Sequence, residues 1–327
     1  MTSALRRCDN CPTLAMAAHV VSVEDLCPTL RRITLGGPEL MHFGVDGPTL
    51  DLRLKLVLPN AGATPRTVLD SLADIRPLAD AGEDTGWYRS WLAKPEFERG
   101  AIRTYTAREL RHTPSGTELV IDFVLHVDVS NGRPEGGPAT VWAASAAPGS
   151  PVAVIGPNRA IRGNDYGGIE WRPGTARRIL LAGDETAVPA ITGILTHLST
   201  RPDAHEWSGQ ALLEVPLRGD RLDITAPDGV EVTWLPREGA PRGTLLTGAV
   251  ADAAPPATRV PWHPLDEVDA EDTILWETSP HNPAERYAWV AGEAGMLKQL
   301  RRWLLGPAGL TKEQVAIMGY WREGRAS

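Results

Sequence analysis

The spacing of apolar and polar residues changes near the middle of the chain. In the first half, short apolar segments separated by turn residues occur at 18–23, 30–35, 51–59, 103–106, 119–127 and 152–155. Glycines at 136–137 lead into one short alanine-rich helix, and a helical insertion near 62–100 interrupts the strands. Short strands with regular turns and a single short helix predict an antiparallel β-barrel.

In the second half, apolar strand segments alternate with helical segments. Arg178–Gly183 precedes a helix at 187–198, and Tyr287–Gly292 precedes a helix at 294–305. This alternation predicts a parallel sheet with helices on both faces. We therefore predict a flexible N-terminus at 1–17, a β-barrel domain at 18–172 with an insertion near 62–100, and an α/β domain at 173–327.

Length and composition agree with two domains and exclude some partners. The chain has 327 residues, of which 42% are hydrophobic and 23% are charged, as in soluble globular proteins. A net charge of −8 argues against nucleic acid as a general partner, because no basic field replaces the phosphate counterions. No apolar run is long enough for membrane insertion, and the N-terminus lacks a signal-peptide pattern, so a cytoplasmic location is expected.

The three cysteines do not predict a metal site. Cys8 and Cys11 have the two-residue gap of a redox motif or half a zinc site, but no second Cys or His pair at metal spacing accompanies them. Their role stays open. The low, odd count also fits a reducing compartment.

The segment Arg103-Thr104-Tyr105-Thr106 is the first candidate for cofactor binding. The planar fork of an arginine matches a phosphate, a tyrosine ring can lie along a flavin, and a threonine hydroxyl can hydrogen-bond its reactive nitrogen. The same residues also suit an ordinary half-exposed strand. The glycines before the helix at 138–144 leave backbone N–H groups that can bind a phosphate.

Two strand ends in the second half are similar to each other. The strands ending at Gly183 and Gly292 pass through these glycines and then start helices, and ligands of parallel sheets bind at such ends. No Gly-x-Gly-x-x-Gly motif accompanies them, so a dinucleotide would not bind in the usual Rossmann manner. On the strand at 51–59, alternation sets Arg53 and Lys55 on one face, which is either a solvated face or an anion-binding wall.

Taken together, the motifs resemble the ferredoxin–NADP reductase superfamily and, within it, the siderophore-interacting protein family of FAD-dependent ferric-siderophore reductases. The matching segments occur in the family's order: 31–35, 55–56, 87–89, 103–106, 122–126, 137–140, 142–143, 182–190, 291–294 and 319–322. The resemblance implies an FAD-binding β-barrel domain followed by an α/β domain of the NAD(P)H-binding type.

The resemblance also implies roles for individual residues. The residues implied to contact FAD are Arg103 (pyrophosphate), Tyr105 (isoalloxazine or ribityl), Thr106 (near N5), Asp122, Val124 and His126 (polar edge and path to the adenosine), Ala139, Thr140 and Trp142 (pyrophosphate), and Trp321 (the flavin's other face). Tyr105 and Thr106 would be the catalytic pair. Val127-Asp128 stands where the family usually has glycine after the histidine.

The remaining implied contacts concern the electron donor and the substrate. The residues implied to face the nicotinamide are Gly183, Asp184, Glu185, Thr186, Gly292 and Glu293. Lys55 and Lys298 would attract an anionic ferric siderophore, whose chelator brings its own iron ligands, so the protein needs none. The donor would be NADPH, NADH or a ferredoxin-type protein, and a monomer is expected. Two alternatives stay open: a flavin oxidoreductase with a non-iron acceptor, and a non-catalytic siderophore-binding protein.

Overall fold

The computed structural model describes residues 12–60, 91–95, 99–125, 137–161, 167–257 and 275–324. The chain divides into two compact units. The first comprises Met1–Leu26 and Leu30–Ile169, and the second comprises Cys27–Thr29 and Glu170–Ser327. No helix in the described ranges is long and apolar enough to cross a membrane.

The first unit is built on an antiparallel sheet that forms a half-barrel, which confirms the predicted β class. Its strands are β1 (Thr13–Cys27), β2 (Leu30–Gly36), β3 (Arg53–Leu58), β4 (Ala101–Thr106), β5 (Glu109–Thr113), β6 (Gly116–Val124) and β7 (Pro151–Pro157). Their order is β4-β3-β7-β1-β2-β6-β5. A 3-10 helix at Pro38–His42 and the helix α1 at Pro138–Ser145 complete the described part of the unit.

Strand alternation decides which face of the half-barrel is apolar. On β3, Leu54 and Leu56 are fully buried, while Arg53 and Lys55 are half-buried on the opposite face, as predicted. On that second face, Val57 packs with Ala153 and Trp91 in a separate small core. The pattern of β3 therefore separates a barrel interior from a partly covered outer wall.

The strand β5 was not predicted. Its sequence, Glu-Leu-Arg-His-Thr, contains a single apolar residue and shows no run of β-branched or aromatic side chains. It forms because it is an edge strand, hydrogen-bonded to β6 alone through a tight turn at Gly116. Tertiary pairing, rather than propensity, makes this segment extended.

The second unit is an α/β layer structure with a mostly parallel sheet, as predicted. Its strands are β8 (Arg178–Gly183), β9 (Ser208–Val215), β10 (Val230–Pro236), β11 (Trp276–Glu277), β12 (Arg286–Glu293) and β13 (Val315–Trp321). Their order is β10-β9-β8-β12-β13-β11, and only β11 runs antiparallel to its neighbour. The described helices are α2 (Val188–Ser199), α3 (Thr244–Ala253) and α4 (Ala294–Leu305).

Helices cover both faces of this sheet. The apolar faces of α3 and α4 meet in one core, in which Ala182 of β8 takes part. At the next residue, Gly183, the opposite face of the sheet is closely covered. An added Cβ there would lie 2.4 Å from Cβ of Ala187, the N-cap residue of α2. The apolar stripe of α4 alone would leave Arg301 exposed, but this arginine is buried and its Nε donates to Glu277 at 2.8 Å.

Candidate functional site

Arg103 lies at the open start of α1. Its Nη2 atom is 4.0 Å from the position that a Cβ atom on Gly137 would occupy. Gly137 is the N-cap and provides no side-chain cap, and among the described residues no side chain caps the N–H groups of Ala139 and Thr140. A guanidinium and uncapped helix N–H groups together form a positive, donor-rich position, which suits a phosphate group.

Three aromatic rings connect β4, β6 and α1 beside this position. The ring centroids of Tyr105 and Phe123 are 4.4 Å apart, and those of Phe123 and Trp142 are 5.5 Å apart. Burial raises the pKa of the Tyr105 hydroxyl, although the charge of Arg103 acts in the opposite direction. The phenol therefore stays protonated and can donate a hydrogen bond.

Thr106 does not share a face with Arg103 and Tyr105. In the β3–β4 register, Thr106 is opposite Arg53, and Thr104 is opposite Lys55. Because paired residues project to the same side, Thr106 lies on the outer wall with these two cations. Its side chain is buried there. The structure thus brings Thr106 and Lys55 to one face of β4 and β3, and Arg103 and Tyr105 to the other.

Asp122 is engaged by Arg32 on the neighbouring strand. Nε of Arg32 donates to Oδ1 at 2.7 Å and Nη2 donates to Oδ2 at 2.9 Å. Asp122 lies on the face of β6 opposite Phe123, and Val124 shares this face. Both carboxylate oxygens of Asp122 already accept a hydrogen bond, so its contact with a cofactor stays a prediction. His126 lies outside the described residues.

In the second unit, Asp184 organises the carboxyl ends of three strands. Its Oδ2 accepts hydrogen bonds from the Glu293 N–H and the Trp321 indole N–H, both at 2.9 Å. Its Oδ1 accepts from the backbone N–H and the hydroxyl of Thr186 at 3.0 and 2.5 Å. The predicted residues of β8, β12 and β13 are therefore brought together, although Asp184 is fully buried and its oxygens are saturated.

Burial sets the charge state of Asp184. Burial first, and then the nearby charge of Glu185, raises the pKa of Asp184 to about 6, while the hydrogen bonds from Thr186 and Trp321 lower it in part. This carboxyl consequently changes its protonation in the neutral range rather than near pH 4.

Glu185 belongs to an ion network that the sequence did not reveal. Arg237 donates to its two oxygens at 2.8 and 3.3 Å, and Arg242 adds a bond at 3.3 Å. Burial acts to raise the pKa of Glu185, but the hydrogen bond and charge of Arg237 and the charge of Arg242 outweigh it and lower that pKa. Arg237 also reaches the buried Glu214 at 3.5 Å. The partners come from β9 and from the loop that follows β10, so no local sequence signal links them.

Glycine is required where β12 ends. Gly292 has a φ of 143°, and a Cβ there would lie 2.8 Å from the Asp184 carboxyl. The next residue, Glu293, caps α4 by accepting from the Met296 N–H at 2.8 Å. Gly183 and Gly292 thus allow close approach at the ends of β8 and β12. The Glu293 carboxylate already accepts a hydrogen bond from the first turn of α4.

Trp321 is held on two sides. Its indole N–H is bound by Asp184, and the guanidinium carbon of Arg242 lies 4.3 Å from the ring centroid. Lys298, the second predicted substrate residue, is half-buried on α4 and belongs to this unit, whereas Lys55 belongs to the first. The contact of Trp321 with the flavin stays a prediction, and no sequence pattern pointed to Asp184 and Arg242 as the residues that hold it.

Comparisons with known proteins agree with this arrangement. Two family models match the chain: the siderophore-interacting FAD-binding domain over residues 19–161, and the siderophore-interacting protein model over residues 176–324. An uncharacterized protein of Mycobacterium tuberculosis is 32% identical over 316 residues, which are 94% of this chain and 90% of that protein. The chain belongs to the siderophore-interacting protein family.

Other relatives are consistent with this family. The ferric vibriobactin reductase ViuB of Vibrio cholerae is 27% identical over 90% of this chain and 85% of its own length. The crystal structure of a siderophore utilization protein from T. fusca matches with a TM-score of 0.64 and 26% identity, covering 96% of this chain and 95% of that chain. The predicted family is thereby confirmed, and the chain is a flavoprotein of the oxidoreductase type.

The residues present fit the FAD that this family binds. The diphosphate needs donors and positive charge, which Arg103 and the uncapped start of α1 provide at one place. Within the described ranges no carboxylate pairs with Arg103, whose Nη1 donates to the Ile102 carbonyl at 2.8 Å. The aromatic side chains beside it offer an apolar surface for a flavin ring.

Proposed function

We propose that this protein reduces a ferric siderophore and releases Fe(II), using electrons that pass from NADPH or NADH through FAD. The observation that carries the proposal is the juxtaposition of the Arg103 guanidinium, the uncapped start of α1 and the aromatic rings of Tyr105, Phe123 and Trp142. Membership of the family and similarity to the ferric vibriobactin reductase support the iron chemistry.

In this proposal, the first unit binds and orients the cofactor. Arg103 and the N–H groups of Ala139 and Thr140 hold the diphosphate, and the ring of Tyr105 lies along the flavin. When bound, FAD supplies the conversion of two-electron donation into single-electron transfer. The protonated Tyr105 hydroxyl would donate to the cofactor. The contact of Thr106 with N5 stays a prediction, because Thr106 lies on the opposite face of β4.

The second unit would bind the nicotinamide donor at the carboxyl ends of β8, β12 and β13. The side chains of Asp184, Glu185 and Glu293 are engaged with other protein groups. The donor would therefore contact the backbone at Gly183 and Gly292 and the half-buried ring of Trp321. The carboxylates of Asp184, Glu185 and Glu293 would hold these strand ends in place. A ferredoxin-type protein remains an alternative donor.

The cations of the outer wall would attract the substrate. Arg53 and Lys55 project from the same face of β3, and an anionic ferric chelate would be drawn to them although the whole chain is acidic. Lys298, which belongs to the other unit, stays a predicted substrate residue in its own right. The chelator supplies the iron ligands, so the protein needs only to bind the complex and deliver electrons.

The direct test is the visible spectrum of the purified protein with FAD, before and after anaerobic addition of NADH or NADPH. We expect flavin bands that bleach with at least one of the two nucleotides. A protein that stays colourless after FAD is added would contradict the proposal and favour a non-catalytic siderophore-binding protein. A flavin that neither nucleotide bleaches would direct attention to a protein donor.

A further inference from the structure

Side chains bond the C-terminal end of α1, whereas no described side chain caps its N-terminal end. At the C-terminal end, Nη1 of Arg31 donates to the carbonyls of Ala143 and Ala144 at 3.1 and 2.9 Å. The Ser145 hydroxyl donates to the carbonyls of Val141 and Trp142, both at 3.1 Å. The carbonyls of residues 141–144, near the C-terminal end, therefore accept hydrogen bonds from side chains. The N-terminal end, by contrast, has no side-chain cap within the described ranges.

Arg31 is itself held in a fixed orientation. Its Nε and Nη2 atoms bond the two oxygens of Asp25 at 2.6 and 3.1 Å. Asp25 is on β1 and Arg31 is on β2, so the pair spans the two strands of one hairpin. This bidentate pairing leaves Nη1 to reach the helix. Since α1 has no basic residue in its own last turn, Arg31 is the cation at its negative end.

Fixing the C-terminal end determines where the N-terminal end lies. The helix has only eight residues, and its middle is attached to β6 through Trp142 and Phe123. With the last turn bound to Arg31, a short rigid helix cannot swing its first turn away from Arg103. The distance between the Arg103 guanidinium and the open N–H groups therefore depends on a residue at the far end of the helix.

We propose that Arg31 is a positioning residue of the diphosphate site, which holds the open start of α1 in register with Arg103, and that Asp25 orients Arg31 for this role. The inference rests on the proposed binding of FAD and adds residues to it. Neither Arg31 nor Asp25 contacts the open end of the helix. Their effect on the cofactor is therefore confined to the part that the first turn of α1 would bind, the diphosphate.

The experiment compares two ligands that differ in that part. Affinities of the full-length protein for FAD and for riboflavin, which has no phosphate, are measured by flavin fluorescence for the wild type, Arg31→Met, Asp25→Asn and Arg111→Met. Arg111 is the matched control, because it is a partly buried strand arginine whose carboxylate partner, Glu109 at 2.7 Å, lies on its own strand. Phosphorus NMR spectra of the FAD-saturated proteins give a second readout.

We expect Arg31→Met to weaken FAD about tenfold and to leave riboflavin binding unchanged, with a smaller loss for Asp25→Asn and none for Arg111→Met. The diphosphate resonances should shift in Arg31→Met, shift less in Asp25→Asn and stay in place in Arg111→Met. The inference would be overturned if Arg31→Met had the FAD-to-riboflavin affinity ratio and the phosphorus spectrum of the wild type. An equal loss of affinity for both ligands would also overturn it. A wild type that binds no FAD would instead overturn the proposed function on which the inference rests.

Discussion

At the scale of single residues, charged side chains divide into those that the fold already pairs and those that it leaves to bind a ligand. Arg103 is directed at an uncapped helix start, whereas Asp122, Asp184 and Glu185 each have protein donors for their carboxylates. Burying a charged group without a partner is costly, so the paired groups are explained by folding alone. Folding alone does not explain Arg103, which is therefore the best candidate to bind the FAD diphosphate.

Arg103→Met should remove most of the affinity for FAD. The change eliminates the planar fork that would bind the diphosphate, and a charge-assisted hydrogen bond contributes about 1.5–3 kcal/mol, or a loss of about ten- to a hundredfold. Flavin fluorescence titration measures the loss. Arg103→Lys keeps the charge without the fork and should recover part of it. Equal affinity in all three proteins would remove Arg103 from the site.

Asp184 should titrate in the neutral range and report through Trp321. Because burial raises its pKa in the folded state to about 6, above the ordinary value of 3.8, protonation favours the folded state, and this contribution is lost as the pH rises through 6. The Trp321 indole N–H resonance should shift with a midpoint near pH 6. The indole of Trp303 bonds the Ala254 carbonyl at 2.9 Å and serves as the control. A Trp321 resonance that does not move more than that of Trp303 would refute the assignment.

At the scale of elements, strong local patterns were predictable and cross-strand choices were not. The bounds of α4 and β13 follow from the sequence, because Leu297, Leu300 and Leu304 form a single stripe and β13 is a continuous apolar run. By contrast, β5 has no apolar pattern, and the bonds from Arg31 to α1 join residues about 112 positions apart. Partners that depend on which strands become neighbours have no local sequence signal.

Glu214 should prove to be a structural cap rather than a catalytic acid. Its oxygens accept from the N–H groups of Gly243 and Leu246 at 2.6 and 2.9 Å, at the start of α3, and Arg237 lies beside it. Glu214→Gln leaves the buried donors poorly satisfied and should lower the free energy of unfolding by about 1–3 kcal/mol. Thermal unfolding followed by circular dichroism measures this, with the exposed Glu231→Gln on β10 as the control. Equal midpoints for the two variants would contradict the role.

At the scale of the whole molecule, family and fold class could be predicted, whereas the electron acceptor could not. The order of motifs from 31–35 to 319–322 identified the family because each motif has its place in a two-unit chain. The choice of electron acceptor depends on the surface that binds it, and the residues that form such a surface are scattered along the sequence. Arg53 and Lys55 are cations on an acidic protein of net charge −8, so any attraction of an anionic chelate must be local.

Charge reversal tests this local attraction. Lys55→Glu, Lys298→Glu and Lys312→Glu each make the net charge more negative by two units, but Lys312 is an exposed residue outside the proposed substrate contacts. We expect a several-fold higher KM for an anionic ferric chelate in the first two variants, with unchanged FAD content, and no change in the third. The difference should shrink as salt is added. If all three lysines behave alike, only the total charge matters.

The most direct test of the central claim is an anaerobic single-turnover measurement. The FAD-loaded protein is reduced, mixed with a ferric siderophore and a ferrous-specific chromogenic trap, and followed at the flavin and trap wavelengths. We expect the ferrous complex to appear as the flavin reoxidises, and we expect none from protein without FAD. A flavin that stays reduced, with no ferrous complex from any ferric chelate offered, would contradict it.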